Sequence, residues 1–169
     1  MLGPGETDIL EKLPIFAALP PQAVRRIAEL ARRVDLAGPT VVFEEGKPAT
    51  EMMVVLEGEL EVLKRSKRGT EARIALLRPG DVAGEMALID IQPRSAAVRS
   101  LGPASLVVLT NADLATIYRE DAAAYTILVL NIAREISRRL RRVDRLLADL
   151  LTGVQEMWAA GADARGTTQ

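Results

Sequence analysis

The apolar positions of this chain change their period twice. Over residues 6–34, Val24, Ile27, Leu30, Ala31 and Val34 recur at the three- and four-residue spacing of a helix face. Pro20-Pro21 splits this stretch into two pieces, and proline is tolerated in a first helical turn. Between residues 35 and 110 short runs of Val, Ile and Leu alternate with turn pairs: Gly38-Pro39, Glu45-Gly46, Glu57-Gly58, Arg68-Gly69, Pro79-Gly80 and Gly102-Pro103. Turns at roughly 8–12-residue intervals predict an antiparallel β-sandwich or barrel. Met52–Leu56 and Leu60–Lys64 are predicted to form a hairpin across Glu57-Gly58-Glu59. Glu71–Leu77 is predicted to pair with the preceding strand across Lys67–Thr70, and Leu106–Leu109 to close the block.

After residue 110 the helical period returns. Thr110 or Asn111 can cap a short helix through Tyr118. A long helix is predicted from about Asp121, with Val129, Ile132, Ile136, Leu140, Val143, Leu147, Leu150, Val154 and Met157 three or four residues apart. That is nearly a heptad seam, with one irregular step at Leu140. Gly153 is expected to weaken the helix near its end. The blocks are therefore 6–120, a β unit with flanking short helices; 121–159, a long helix; and 160–169, an unstructured tail.

Composition narrows the chemistry. With 169 residues, 49% hydrophobic and 27% charged, the chain is long enough for one core plus an accessory element. The net charge of −1 gives no global basic field for nucleic acid. Zero cysteines and zero histidines exclude disulfides, thiolate and imidazole catalysis and most zinc sites. No elbow for a nucleophilic serine occurs, so an enzyme is not expected. A cysteine-free chain without a signal segment or a membrane-length apolar run fits a cytoplasmic location. The aromatics are Phe16, Phe43, Tyr118, Tyr125 and Trp158, too few for a base-stacking platform.

The most informative chemistry lies in Pro79–Ala97. Gly84 and Glu85 open a segment too short for an independent helix, and Arg94 follows Pro93. Backbone N–H groups at a helix start attract anions. An arginine adds a charge-assisted fork. A carboxylate cannot bind phosphate, but it can accept hydrogen bonds from a sugar hydroxyl.

These elements together resemble the cyclic nucleotide-binding domain family. The resemblance covers residues 10–150 and rests on Phe16 with Leu19, Val42-Phe43 with Glu45-Gly46, Val55-Leu56-Glu57-Gly58, Arg78-Pro79-Gly80-Asp81, Gly84-Glu85-Met86-Ala87-Leu88-Ile89 and Pro93-Arg94-Ser95-Ala96. It implies an α+β fold: an antiparallel β-roll or jelly-roll barrel with N-terminal helices and a long C-terminal helix. It implies that Glu85 accepts the ribose 2′-OH and that Arg94 pairs with the cyclic phosphate. Gly84, Met86, Ala87 and Ser95 would surround that phosphate, and Val82 and Ala96 would flank base and sugar. Base contacts would come from the exit helix, where Arg138, Arg141, Val143, Asp144 and Arg145 are the candidates. Gly46 and Gly58 match structural turn glycines.

The expected ligand is cAMP or cGMP, with cAMP favoured; Ser95 does not decide between them. No metal or other cofactor is expected. The seam over 125–157 predicts a parallel two-fold homodimer, because its apolar stripe exceeds what one small domain covers. The residues after Leu150 are too few for a helix-turn-helix domain, so DNA is not an expected partner, nor is a membrane. The expected output is an unidentified effector protein. Two other readings stay open: a coiled-coil interaction scaffold with a vestigial cassette, and a nucleic-acid binder using Arg134, Arg138, Arg139, Arg141, Arg142 and Arg145.

Overall fold

The computed structural model describes residues 2–90 and 92–166, with backbone alone at Pro4, Ala87 and 158–166. Helix α1 (Pro4–Glu11), a 3-10 turn (Pro14–Phe16) and helix α2 (Pro21–Leu30) lead into eight strands. These are β1 (Arg32–Leu36), β2 (Val41–Phe43), β3 (Glu51–Glu57), β4 (Leu60–Arg65), β5 (Glu71–Leu77), β6 (Val82–Ala83), β7 (Ala97–Ser100) and β8 (Ala104–Thr110). Helices α3 (Asn111–Glu120) and α4 (Ala122–Gly166) follow. The strands form two four-stranded antiparallel sheets, β1-β8-β3-β6 and β2-β7-β4-β5. This is the expected jelly-roll with N-terminal helices and a long C-terminal helix.

Alternation along the strands builds the core. Met53 and Val55 of β3 and Leu106 and Val108 of β8 meet Phe43, Leu60, Leu77 and Val98 between the sheets. The intervening residues Met52, Val54, Val107 and Leu109 are also fully buried. These central strands therefore read as continuous apolar runs rather than alternating ones. A helical layer supplies Leu10, Phe16, Ile27, Leu114, Ile117, Leu128 and Ile132, all buried. Buried Asn131 ties this layer together, its amide donating to the carbonyls of Ile15 at 3.1 Å and Ala17 at 2.8 Å.

Several expectations are corrected. Val34 is not on a helix face: α2 stops at Leu30, and Arg32–Leu36 pairs with Val108–Ala104 of β8. Strand pairing outcompetes the weak helical preference of a β-branched residue. Met52–Leu56 and Leu60–Lys64 lie on adjacent strands in sequence but do not form a hairpin. β3 pairs with β6 and β8, whereas β4 pairs with β5 and β7. Glu57-Gly58-Glu59 is therefore a corner where the chain changes sheets. The β4–β5 pairing is found as expected. Helix α3 is capped by Thr110, whose Oγ1 accepts from the Asp113 N–H at 3.2 Å, and Asp121 caps α4 through the Ala124 N–H at 2.9 Å.

The helix α4 runs past Gly153 and through Gly166, where an unstructured tail was expected; 167–169 lie outside the described residues. The chain divides into two compact units, residues 1–132 and 133–169. The break falls inside α4, twelve residues beyond the expected start of the second block, because Ala124, Leu128 and Ile132 are buried in the first unit. In the second unit Leu140, Val143, Leu147, Leu150, Val154 and Met157 are all exposed. Of the predicted seam, Ile132 is buried, Val129 and Ile136 are half-buried, and the positions from Leu140 to Met157 are exposed.

The corner glycine is testable. Gly58 has a φ of +84°, and an added Cβ would meet the Pro103 carbonyl oxygen at 2.5 Å and Ala104 Cβ at 2.8 Å. Gly58→Ala is expected to cost about 1–3 kcal/mol in backbone strain alone, with overpacking in addition. A large drop in the urea midpoint at unchanged slope would show it.

Candidate functional site

The site begins with the way β3 holds the segment before Gly84. The Gly80 N–H donates to the Val55 carbonyl at 2.8 Å, and the Val55 N–H donates to the Asp81 carbonyl at 2.9 Å. The Asp81 carboxylate accepts from the Arg78 N–H at 2.8 Å, closing the turn. Val82 and Ala83 then pair with Val54 and Met53 as β6, both buried. Gly84 reverses the chain at φ 76°, and Glu85–Leu88 forms a single 3-10 turn. Only glycine fits here: an added Cβ would collide with Arg94 Nη1 and sit 2.9 Å from both the Glu51 carbonyl oxygen and Phe43 Cε2.

Arg94 is fixed from the other side by the β2–β3 connection. The Arg94 N–H donates to the Lys47 carbonyl at 2.8 Å, and the Gly46 N–H donates to the Arg94 carbonyl at 2.9 Å. Its side chain turns inward and is only 8% exposed. The guanidinium carbon lies 3.4 Å from the centroid of the Phe43 ring. Among the described residues, Arg94 Nη1 is buried with no hydrogen-bond partner. Burial pushes this guanidinium below its usual range, while the Glu51 and Glu85 carboxylates push it back up. Glu85 is itself 4% exposed. An open groove of about 320 Å³ runs beside Arg94, bounded by Val42, Phe43, Lys47, Thr50 and Glu51.

Chemically, this is a buried cation with a free donor, two nearby carboxylates and a tight glycine turn. Buried charges are normally paired, so an orphaned N–H on one marks a place for an anion. Among the described residues no cluster of three or more acidic side chains could hold a metal ion. No helix among them is long and apolar enough to cross a membrane.

The sequence model of the cyclic nucleotide-binding domain matches residues 33–121. The chain belongs to the cyclic nucleotide-binding domain family. It is 26% identical over 144 residues to the CRP-like cAMP-activated global transcriptional regulator of Mycobacterium tuberculosis, covering 85% of this chain and 62% of that protein. It is 31% identical over 144 residues to the cyclic AMP receptor protein of Thermus thermophilus, covering 82% of this chain and 62% of the relative. The chain therefore spans about three fifths of the length of these relatives. Among solved structures, the N-terminal domain of a transcriptional regulator from Streptomyces coelicolor superposes with a TM-score of 0.70 at 30% identity, covering 78% of this chain and 94% of that one.

Within this cyclic nucleotide-binding fold, Gly84, Glu85 and Arg94 come together as a unit. Val82 lies buried just before them, and Met86 is exposed on the turn. Ser95 is exposed, its hydroxyl 4.0 Å from the Met86 sulfur, and Ala96 is partly buried beside it. The backbone of Ala87 belongs to the 3-10 turn; its side chain lies outside the described residues. Arg138, Arg141 and Asp144 belong to the second unit, where Arg138 pairs with Glu135 at 2.7 Å. Two residues at the site escaped the sequence reading: Phe43, quoted only as part of a motif, and Glu51. The available signal was Phe43 itself, an aromatic in a nearly all-aliphatic β block, three residues before Gly46.

Gly84→Ala should move the Arg94 side chain and lower stability by about 1–3 kcal/mol from the positive φ. Denaturant unfolding measures the loss. A shifted Arg94 Nε–H resonance in an arginine-labelled spectrum reports the displacement.

Proposed function

We propose that this chain is a non-catalytic receptor for a 3′,5′-cyclic nucleotide, with cAMP favoured over cGMP. The observation that carries the reading is Arg94: a guanidinium 8% exposed, with a buried Nη1 that no described residue satisfies. A cyclic phosphate supplies the missing acceptor. Out of water, a charge-assisted hydrogen bond to phosphate is stronger than at a surface. The turn at Gly84–Ala87 adds backbone N–H groups, with Ser95 beside it. Glu85 accepts from the ribose 2′-OH, which gives the ligand a direction: phosphate to Arg94, sugar hydroxyl to the carboxylate. Val82 and Ala96 flank the sugar and base. The preference for cAMP is supported by the names of the relatives, one cAMP-activated and one a cyclic AMP receptor.

Output passes through α4. Its exposed Leu140, Val143, Leu147, Leu150, Val154 and Met157 repeat at heptad spacing, which supports a parallel homodimer through 125–157. Arg138, Arg141 and Asp144 are the candidates for base contacts. Ligand can shift this helix only by binding one arrangement more tightly than the other. The effector is a protein, and the setting is the cytoplasm.

Titration calorimetry tests the receptor reading. cAMP should bind at micromolar to hundred-micromolar concentration and cGMP more weakly; absence of heat with both would sink the proposal. Arg94→Ala should cost about 2–5 kcal/mol of binding, the scale for removing one partner of a buried charge pair. Glu85→Ala should cost less, about 1.5–3 kcal/mol for one hydrogen bond to a charged group. Sedimentation velocity tests the dimer: Leu147→Asp should convert a dimer to monomer without changing the fold of the first unit.

A further inference from the structure

We propose that Phe43 is a positioning residue for ligand recognition: its ring face carries the Arg94 guanidinium and leaves the Nη1 donor of that group free for an anion. The inference rests on the reading of Arg94 as the phosphate-binding side chain.

A buried arginine needs something to hold its charge. The usual solution is a carboxylate, which takes two of the five N–H donors in a fork and cancels the charge. Arg94 instead lies over Phe43, with its guanidinium carbon 3.4 Å from the ring centroid. A π face attracts a cation through its quadrupole without accepting a conventional hydrogen bond from it, and the attraction grows when both groups are dry. Both are dry here, Phe43 at 6% exposure and Arg94 at 8%. Nη1 has no partner among the described residues, as expected if the ring holds the group by its face.

The ring is a stiff support. Phe43 pairs with Val98 of β7 and packs in the core between the two sheets. Its Cε2 would lie 2.9 Å from a Cβ at position 84, so the Gly84 turn closes over it. The same short segment also holds the backbone of Arg94, through Gly46 and Lys47. Residues 43–47 therefore fix Arg94 at both ends. Leucine at position 43 would fill the core comparably but offer no π face.

The test replaces Phe43 in the full chain with phenylalanines carrying one, two and three ring fluorines, which drain the quadrupole while barely changing shape. Calorimetry with cAMP should show affinity falling stepwise, by about five- to thirtyfold at three fluorines, the scale of a desolvated cation–π contact. Phe43→Leu should weaken binding similarly in the parent chain and by less than about twofold when Arg94→Ala is also present. Additive losses in that cycle, or affinity flat across the fluorine series, would overturn the role of Phe43 while leaving the ligand reading intact. An unsubstituted chain that takes up no cyclic nucleotide would overturn the ligand reading and this role with it. Unfolding midpoints separate any folding defect, since mono-fluorination should leave the midpoint unchanged.

Discussion

Taking a guanidinium out of water costs several kcal/mol, and the cost is met only where surrounding groups replace its hydration. Arg94 is in that position, and much of the β-roll around it is arranged accordingly. Phe43 offers a ring face, Glu51 and Glu85 offer negative potential, and the Gly46–Lys47 turn binds the Arg94 backbone on both sides. None of these neighbours satisfies Nη1. A cation held but left with a free donor attracts an anion more strongly than a fully paired one. It also explains the glycine at position 84, where any Cβ would run into the guanidinium.

The strands that make this possible are β3, inside one sheet, and β2, at the edge of the other. β3 pairs with β6 on one side and β8 on the other, and so connects the glycine turn to the middle of its sheet. β2 lies in the other sheet and brings Phe43 across the core. The site is thus assembled from both sheets, and the hydrophobic interior between them sets the distance between Phe43 and the Gly84 turn. Loops alone could not hold a buried charge in one place, because their ordering would have to be offset by contacts that short polar segments lack.

Helix α4 has two characters. Ala124, Leu128 and Ile132 are buried in the first unit, and Asn131 fastens the helix to the carbonyls of Ile15 and Ala17. From Leu140 to Met157 the large apolar residues are exposed, and Arg138 and Arg139 are drawn to Glu135. A regular three-and-four spacing runs through both parts. The sequence pattern therefore marks an apolar face without saying what covers it.

Much of the architecture was legible in the chain. Turn glycines and apolar runs located the β block, the β4–β5 pairing, the Thr110 cap and the start of α4, because these depend on neighbours within a few residues. The family motifs brought Gly84, Glu85 and Arg94 forward as a set. The failures were non-local. Glu57-Gly58-Glu59 has the composition of a hairpin turn, yet the chain changes sheets there, since both flanking strands find better partners far along the sequence. Val34 fits a helix face by spacing, yet pairing with Leu106 decides its state. Phe43 and Glu51 are remote from Arg94 in sequence, so no spacing rule reveals that one carries its charge and the other biases it. Local periodicity and turn chemistry determined the elements of this protein; only the packing of one sheet on the other decided which side chains share the low-dielectric space around Arg94, because those contacts join residues far apart in sequence.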